Sequence, residues 1–236
     1  MSIKKVIKKA YYNVKKIYKI MIGREPIIFK QISVQYANTG EKFGGWRIYP
    51  DAMKSNPLIY SGGIGRNINF DLAMIEKYDA EVFAFDPTPK SLSWIEEKDT
   101  PDELNVLPIG ISGHDGEIEM SPPKNSNHVS FSRYKGVAES EKFKVMSIES
   151  IMDKYNHGHI DILKLDIEGE EYNVVKDMLD SGLEISQILI EFHHRFEGFD
   201  PDMTKNAISM MDERGYKVFY VSDTGKEISL VHVDYL

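Results

Sequence analysis

Cysteine is absent from all 236 residues. That excludes disulfides, thiolate metal sites and a cysteine nucleophile, and it fits a reducing compartment. No His-Glu-x-x-His helix occurs, so zinc-peptidase chemistry is disfavoured. Internal repeats and low-complexity runs are also missing. A hydrophobic fraction of 42% with 28% charged residues is ordinary for a soluble globular chain, and 236 residues suit one α/β domain with extensions.

Basic charge is scarce beyond the start of the chain. Residues 1–30 hold nine Lys or Arg against one Glu, and the rest of the chain holds twenty against thirty-six acids. An acidic body argues against a broad nucleic-acid surface, which needs clustered cations. In the first segment Ile3, Val6, Ile7, Ala10, Tyr11, Val14, Ile17, Tyr18 and Met21 recur at helical spacing, with lysines mostly on the other faces. The spacing predicts a basic amphipathic helix within residues 1–30. It is too charged to span a bilayer and lacks the apolar core of a signal peptide. Residues 1–22 are therefore a candidate for peripheral membrane contact, and equally for packing on the domain or a second subunit. The expected location is the cytoplasm, with membrane contact at its periphery as the variant.

Residues 31–236 read as a single domain. A short strand is expected at Ile32–Tyr36, then turn-rich sequence to Pro57. From Leu58 strands and helices alternate: strands near 58–61, 81–86, 104–109, 160–166 and 186–193, with helices near 67–78, 90–97, 148–155, 170–180 and 202–214. Such alternation implies a parallel sheet covered by helices on both faces. Residues 112–147 interrupt it with strand-like pieces at Glu117–Met120, Val129–Phe131 and Phe143–Val145, the pattern of an insertion over the sheet edge. The end reads as a hairpin of 216–221 and 227–233.

Two junctions carry chemistry. The first is Ser61-Gly62-Gly63-Ile64-Gly65-Arg66-Asn67, where glycines let the main chain turn sharply and approach a ligand. Asp86 ends the next strand, 23 positions after Gly63, a spacing at which an acid can accept bonds from ribose hydroxyls. A dinucleotide would want a third glycine facing its pyrophosphate. Ile68 stands there instead, which disfavours an NAD-dependent oxidoreductase; S-adenosylmethionine, having no phosphate, does not need that glycine.

The second junction is Leu163-Lys164-Leu165-Asp166-Ile167-Glu168-Gly169-Glu170-Glu171, a buried strand running into acids and a helix start. Together with Phe85-Asp86-Pro87-Thr88-Pro89 and Ile190-Glu191-Phe192-His193, these segments resemble the FkbM family of S-adenosylmethionine-dependent methyltransferases, from about Ile59 to Tyr220. The resemblance implies a class I, Rossmann-like methyltransferase fold: a seven-stranded, mostly parallel sheet ending in an antiparallel hairpin. It implies O-methylation of a hydroxyl, in many relatives on a sugar or polyketide. Gly63 and Gly65 would then line the methionine portion, Asp86 the ribose, and Gly110, Ile111 and Ser112 the adenine. Ser61, Gly62, Asn67 and Asp166 complete the expected cofactor set.

Methyl transfer to an alcohol also needs the hydroxyl proton removed. Asp166 and Glu168 share one face of their strand, as do Glu191 and His193 on the next, whereas His194 would point away. His193 is the expected base, with Asp166, Glu191 and Glu168 placing it or the acceptor. A divalent ion on Asp166, Glu191 and His193 is a minority expectation. The acceptor is expected to be a small molecule or glycan, not nucleic acid. The competing reading is a non-catalytic adenosyl-ligand-binding or scaffold protein on the same fold. His128 and the pair Trp46 and Tyr49 are candidate acceptor contacts that can equally be loop and core residues.

Overall fold

The computed structural model describes residue 14 and residues 18–40, 45–121 and 140–236. A two-stranded antiparallel sheet comes first, β1 (Ala37–Thr39) with β2 (Trp46–Ile48). The body then alternates β3 (Leu58–Gly62), α1 (Asn69–Tyr78), β4 (Glu81–Phe85), α2 (Pro89–Glu96) and β5 (Leu104–Leu107). After a three-stranded interlude of β6 (Gly110–Ile111), β7 (Gly116–Met120) and β8 (Glu141–Met146), alternation resumes. It continues through α3 (Ile148–Tyr155), β9 (Ile160–Leu165), α4 (Glu171–Ser181), β10 (Ile185–Glu191) and α5 (Pro201–Glu213), and closes with β11 (Tyr216–Val221) and β12 (Glu227–His232).

The main sheet has seven strands in the order β11-β12-β10-β9-β3-β4-β5. Every pairing is parallel except those of β12, which runs antiparallel to both β10 and β11. The expected final hairpin thus forms, and its second strand inserts between β11 and the parallel body. From β3 the chain builds outward to β4 and β5; from β9 it builds the opposite way. The crevice beyond the carboxyl ends of β3 and β9 is the switch point where open α/β sheets bind ligands.

Parallel strands covered on both faces are apolar throughout rather than alternating, and β9 and β10 are buried over almost their whole length. Tyr60, Leu163 and Ile188 face a core shared with Ile151 of α3, Val175 of α4 and Met211 of α5. Their neighbours Ile59, Ile162 and Leu189 face the other core, with Phe70 and Met74 of α1, Ile95 of α2 and Trp46 and Ile48 of β2. Trp46 is a core residue, and Tyr49 packs with Phe219 and Val231.

The strand expected at Ile32–Tyr36 is absent; pairing begins at Ala37. The amides of Gln31 and Ile32 both donate to the Val218 carbonyl, and the Val218 amide donates to the side chain of Gln31. The side chain takes the position of a neighbouring strand's backbone, so no ladder propagates. The pieces expected at Glu117–Met120 and Phe143–Val145 form β7 and β8, which pair antiparallel. His128 and the piece at Val129–Phe131 lie outside the described residues, as does most of the expected N-terminal helix.

The chain is tied down before β1 by Glu25, whose side chain is 1% exposed. Its oxygens accept from Arg195 Nε at 2.6 Å and Nη2 at 2.7 Å, and lie 3.0 Å from His194 Nε2 and 3.2 Å from Lys19 Nζ. Burial raises a carboxylate pKa, but His194, Arg195 and Lys19 outweigh it and hold Glu25 far below the usual range. A pKa depressed by folding lends stability above the unfolded value, and that stability is lost as pH falls through the folded value. Glu25→Gln should therefore cost about 3 kcal/mol at neutral pH. In chemical denaturation the gap from wild type should close as pH drops below about 4.

Candidate active site

At the end of β3 the chain turns against the end of β9. Gly63 has φ +83°, and a Cβ there would lie 1.9 Å from the Asp166 carbonyl oxygen. Main chain meets main chain, so no side chain fits. The Asp166 amide donates to the Gly62 carbonyl at 3.1 Å, and the buried Lys164 ammonium donates to the Gly63 carbonyl at 3.1 Å. Asp86 fixes the rest of this turn. One oxygen accepts from the amides of Ile64 (3.1 Å) and Gly65 (3.0 Å), the other from the amide (2.9 Å) and hydroxyl (2.6 Å) of Thr88. Those four bonds occupy about all of a carboxylate's acceptor positions. Asp86 thus holds the glycine turn to the end of β4, and contact with a ribose means exchanging one of these bonds.

The turn is one wall of a cleft at the switch point. Gly63, Gly65, Asn67, Asp86, Gly110, Ile111 and Asp166 all line it, together with Phe85, Pro87, Ile118, Met120, Ile167, Glu168 and Glu170. Of the expected cofactor residues, Ser61, Gly62 and Ser112 stand one layer behind. Ser61 is wholly buried in β3, a Cβ on Gly62 would press on Ile167 at 3.0 Å, and the Ser112 hydroxyl donates to Glu170 Oε1 at 2.7 Å. Apolar side chains from β6, β7 and the end of β4 form a slot suited to a flat ring. Among the described residues the charged lining is four carboxylates, Asp86, Asp166, Glu168 and Glu170, and the cation Arg66. Such a lining favours a cationic ligand over an anionic pyrophosphate.

Beside the cleft lies the second junction. Glu171 opens α4 with its carboxylate fully buried, accepting from the amides of Ile167 (2.9 Å) and Gly169 (3.0 Å). The same carboxylate meets His193 Nδ1 at 2.8 Å. His193 Nε2 is thereby turned toward Asp166 Oδ1 at 3.7 Å and Glu168 Oε2 at 3.6 Å. Glu168 sits in the left-handed region, φ 56°, uncommon for a residue with a side chain and a form of strain that gathers at functional sites.

Burial opposes a charged ring at His193, but Glu171, Glu168 and Asp166 outweigh it and push the pKa up to about 9. The ring so surrounded carries a proton at neutral pH, and the expected role as a base requires a compensating positive charge among these acids. Asp166 is raised by burial, with Lys164 and His193 pulling against it. Glu191 is in an ion pair of 2.9 Å with Lys226, and burial and the neighbouring Asp166 charge raise its pKa. His194 turns away to Glu25 and Thr204.

Sequence reasoning did not assign Lys164, Glu171, Ile118 or Met120. A lysine inside an otherwise apolar strand was the visible signal for Lys164. Nothing local in the sequence says that the Glu171 carboxylate reaches a histidine 22 positions away.

The strand order and a glycine-walled, acid-lined cleft at the switch point together define the fold of a class I methyltransferase, for which the methyl donor is S-adenosylmethionine. A family model described as the Methyltransferase FkbM domain matches residues 63–218, and the chain belongs to that family. It is 29% identical over 146 residues to the hexuronic acid methyltransferase AglP of Haloferax volcanii, covering 60% of this chain and 58% of that one. It is 26% identical over 179 residues to the probable methyltransferase-like protein 24 of Homo sapiens, covering 72% and 43%. The chain thus spans about half the length of the curated relatives it matches. Solved structures with some likeness include a fibrillarin/Nop5p complex (TM-score 0.44, 11% identity, 76% of this chain and 73% of that one). Another is Aeropyrum pernix fibrillarin with natively bound S-adenosyl-L-methionine (TM-score 0.39, 10% identity, 86% and 84%).

Gly63→Ala should abolish binding of S-adenosylhomocysteine in calorimetric titration. It should also cost about 4 kcal/mol or more of stability, since both the positive φ and the carbonyl contact are violated.

Proposed function

We propose that the chain transfers a methyl group from S-adenosylmethionine to a hydroxyl of a sugar in a glycan or glycolipid precursor. The observation that carries this reading is the acid-lined cleft whose wall includes Asp166 and Glu168, with His193 grouped beside them. The name of the hexuronic acid methyltransferase relative adds a carbohydrate acceptor. When bound, S-adenosylmethionine supplies a methyl carbon made electrophilic by its sulfonium.

The chain's own work is positional and acid–base. The glycine turn and the apolar slot would hold the donor, and the junction after β9 would position the acceptor hydroxyl. The hydroxyl proton would pass to the Asp166, Glu168 and His193 group, and His193 Nε2 would take it only where the sulfonium's positive charge offsets these acids and leaves the ring neutral. His193→Ala should therefore lower kcat toward hexose and hexuronic acid acceptors by ~10²–10⁴-fold. Affinity for S-adenosylhomocysteine should stay close to wild type, because His193 does not line the cleft. A variant that keeps wild-type turnover would remove His193 from the reaction.

Peripheral membrane contact by the N-terminal segment is part of the same reading. Tyr18, Met21, Ile27 and Phe29 expose large apolar side chains close to the basic stretch, and among the described residues no helix is long and apolar enough to cross a membrane. Removing residues 1–22 should abolish flotation with anionic liposomes while S-adenosylhomocysteine binding survives. Unchanged flotation would overturn the assignment.

A further inference from the structure

We propose that Asp166, Glu168 and His193 form a binding site for a divalent cation of the Mg²⁺ or Mn²⁺ kind. One ligand atom from each lies within 4.8 Å of the other two. The distances from His193 Nε2, 3.7 Å to Asp166 and 3.6 Å to Glu168, are too long for hydrogen bonds. They suit atoms sharing one ion, because ligands bound at about 2.0–2.2 Å stand roughly 3–4 Å from one another.

A second observation comes from behind the histidine. Metal-bound imidazoles donate their other ring N–H to a carboxylate or carbonyl, which sets ring orientation and tautomer. Glu171 occupies that position, 2.8 Å from Nδ1, and is itself held by two backbone amides. The ring therefore cannot turn away from the two acids in front of it. His193 is 6% exposed at its side chain, whereas Asp166 and Glu168 are 37% and 23% exposed. Protein thus surrounds the nitrogen ligand, while the carboxylate side stays open toward the cleft.

Two carboxylates and one imidazole with no thiolate suit a hard or borderline ion. Three protein ligands leave coordination positions for water or for the acceptor. An acceptor hydroxyl bound to the ion becomes more acidic and is oriented in the same step. This purpose rests on the O-methylation proposed above; the binding itself does not.

The test uses the full-length protein and Mn²⁺ alone. Titration followed by electron paramagnetic resonance should show one site per chain, and pulsed spectra should carry nitrogen coupling from one imidazole. His193→Gln should remove that coupling, and Asp166→Asn and Glu168→Gln should each abolish stoichiometric binding. Glu171→Gln should weaken binding about 10–100-fold, whereas Glu197→Gln, an exposed acid on the same loop, should leave it unchanged. Circular dichroism and thermal unfolding report whether each variant is folded, and S-adenosylhomocysteine titration of the wild type reports whether the cofactor reading holds on its own. Adenosyl binding by wild type without stoichiometric Mn²⁺ binding overturns the metal site and leaves the methyltransferase reading standing. Mn²⁺ binding that persists with its nitrogen coupling in His193→Gln also overturns the site.

Discussion

The buried carboxylate of Glu171 bonds two amides of the turn before it and the ring of His193 on the neighbouring strand's end. A carboxylate without water is costly unless its oxygens are satisfied, and here the turn, the helix start and the histidine satisfy them together. The loop leaving β9 therefore cannot move without taking His193 with it. Glu168, between the two bonded amides, is held in its left-handed conformation by bonds on both sides. The arrangement of Asp166, Glu168 and His193 follows from this one anchoring group.

Around it, the site is assembled by main chain more than by side chain. Gly63 stacks on the Asp166 carbonyl, Lys164 reaches across to the Gly63 carbonyl, and Asp86 gathers the amides of Ile64 and Gly65. Each contact joins the end of one strand to the turn after another. The cleft wall is thus set before any ligand arrives, which reduces the ordering cost of binding.

Patterns local to a strand or a junction were legible in the sequence. Buried strands read as apolar runs, the helices between them lie within two residues of expectation, and the two glycine–acid junctions fall at the switch point. Contacts between distant residues were not legible. Asp86 and its spacing suggested a ribose contact, yet the spacing cannot show that both oxygens are already engaged by Ile64, Gly65 and Thr88. Glu191 and His193 share strand parity, which suggested a common task, but parity cannot show that Lys226 on the final hairpin pairs with Glu191. Glu25 lies in a basic, unpatterned stretch, and only the folded chain brings it to His194 and Arg195. The short strand expected at Ile32–Tyr36 failed because Gln31 replaces the bond that a ladder needs.

The charge of the cleft bears on what happens after transfer. On the proposed reading the donor would enter with a positive sulfur and the spent carrier would leave with a neutral thioether. In a lining that among the described residues holds four carboxylates and one arginine, losing that charge would weaken the attraction. Both species present nearly the same surface, so the difference in their retention is electrostatic. On that reading turnover would be self-clearing, the chemical step loosening the grip on its own by-product.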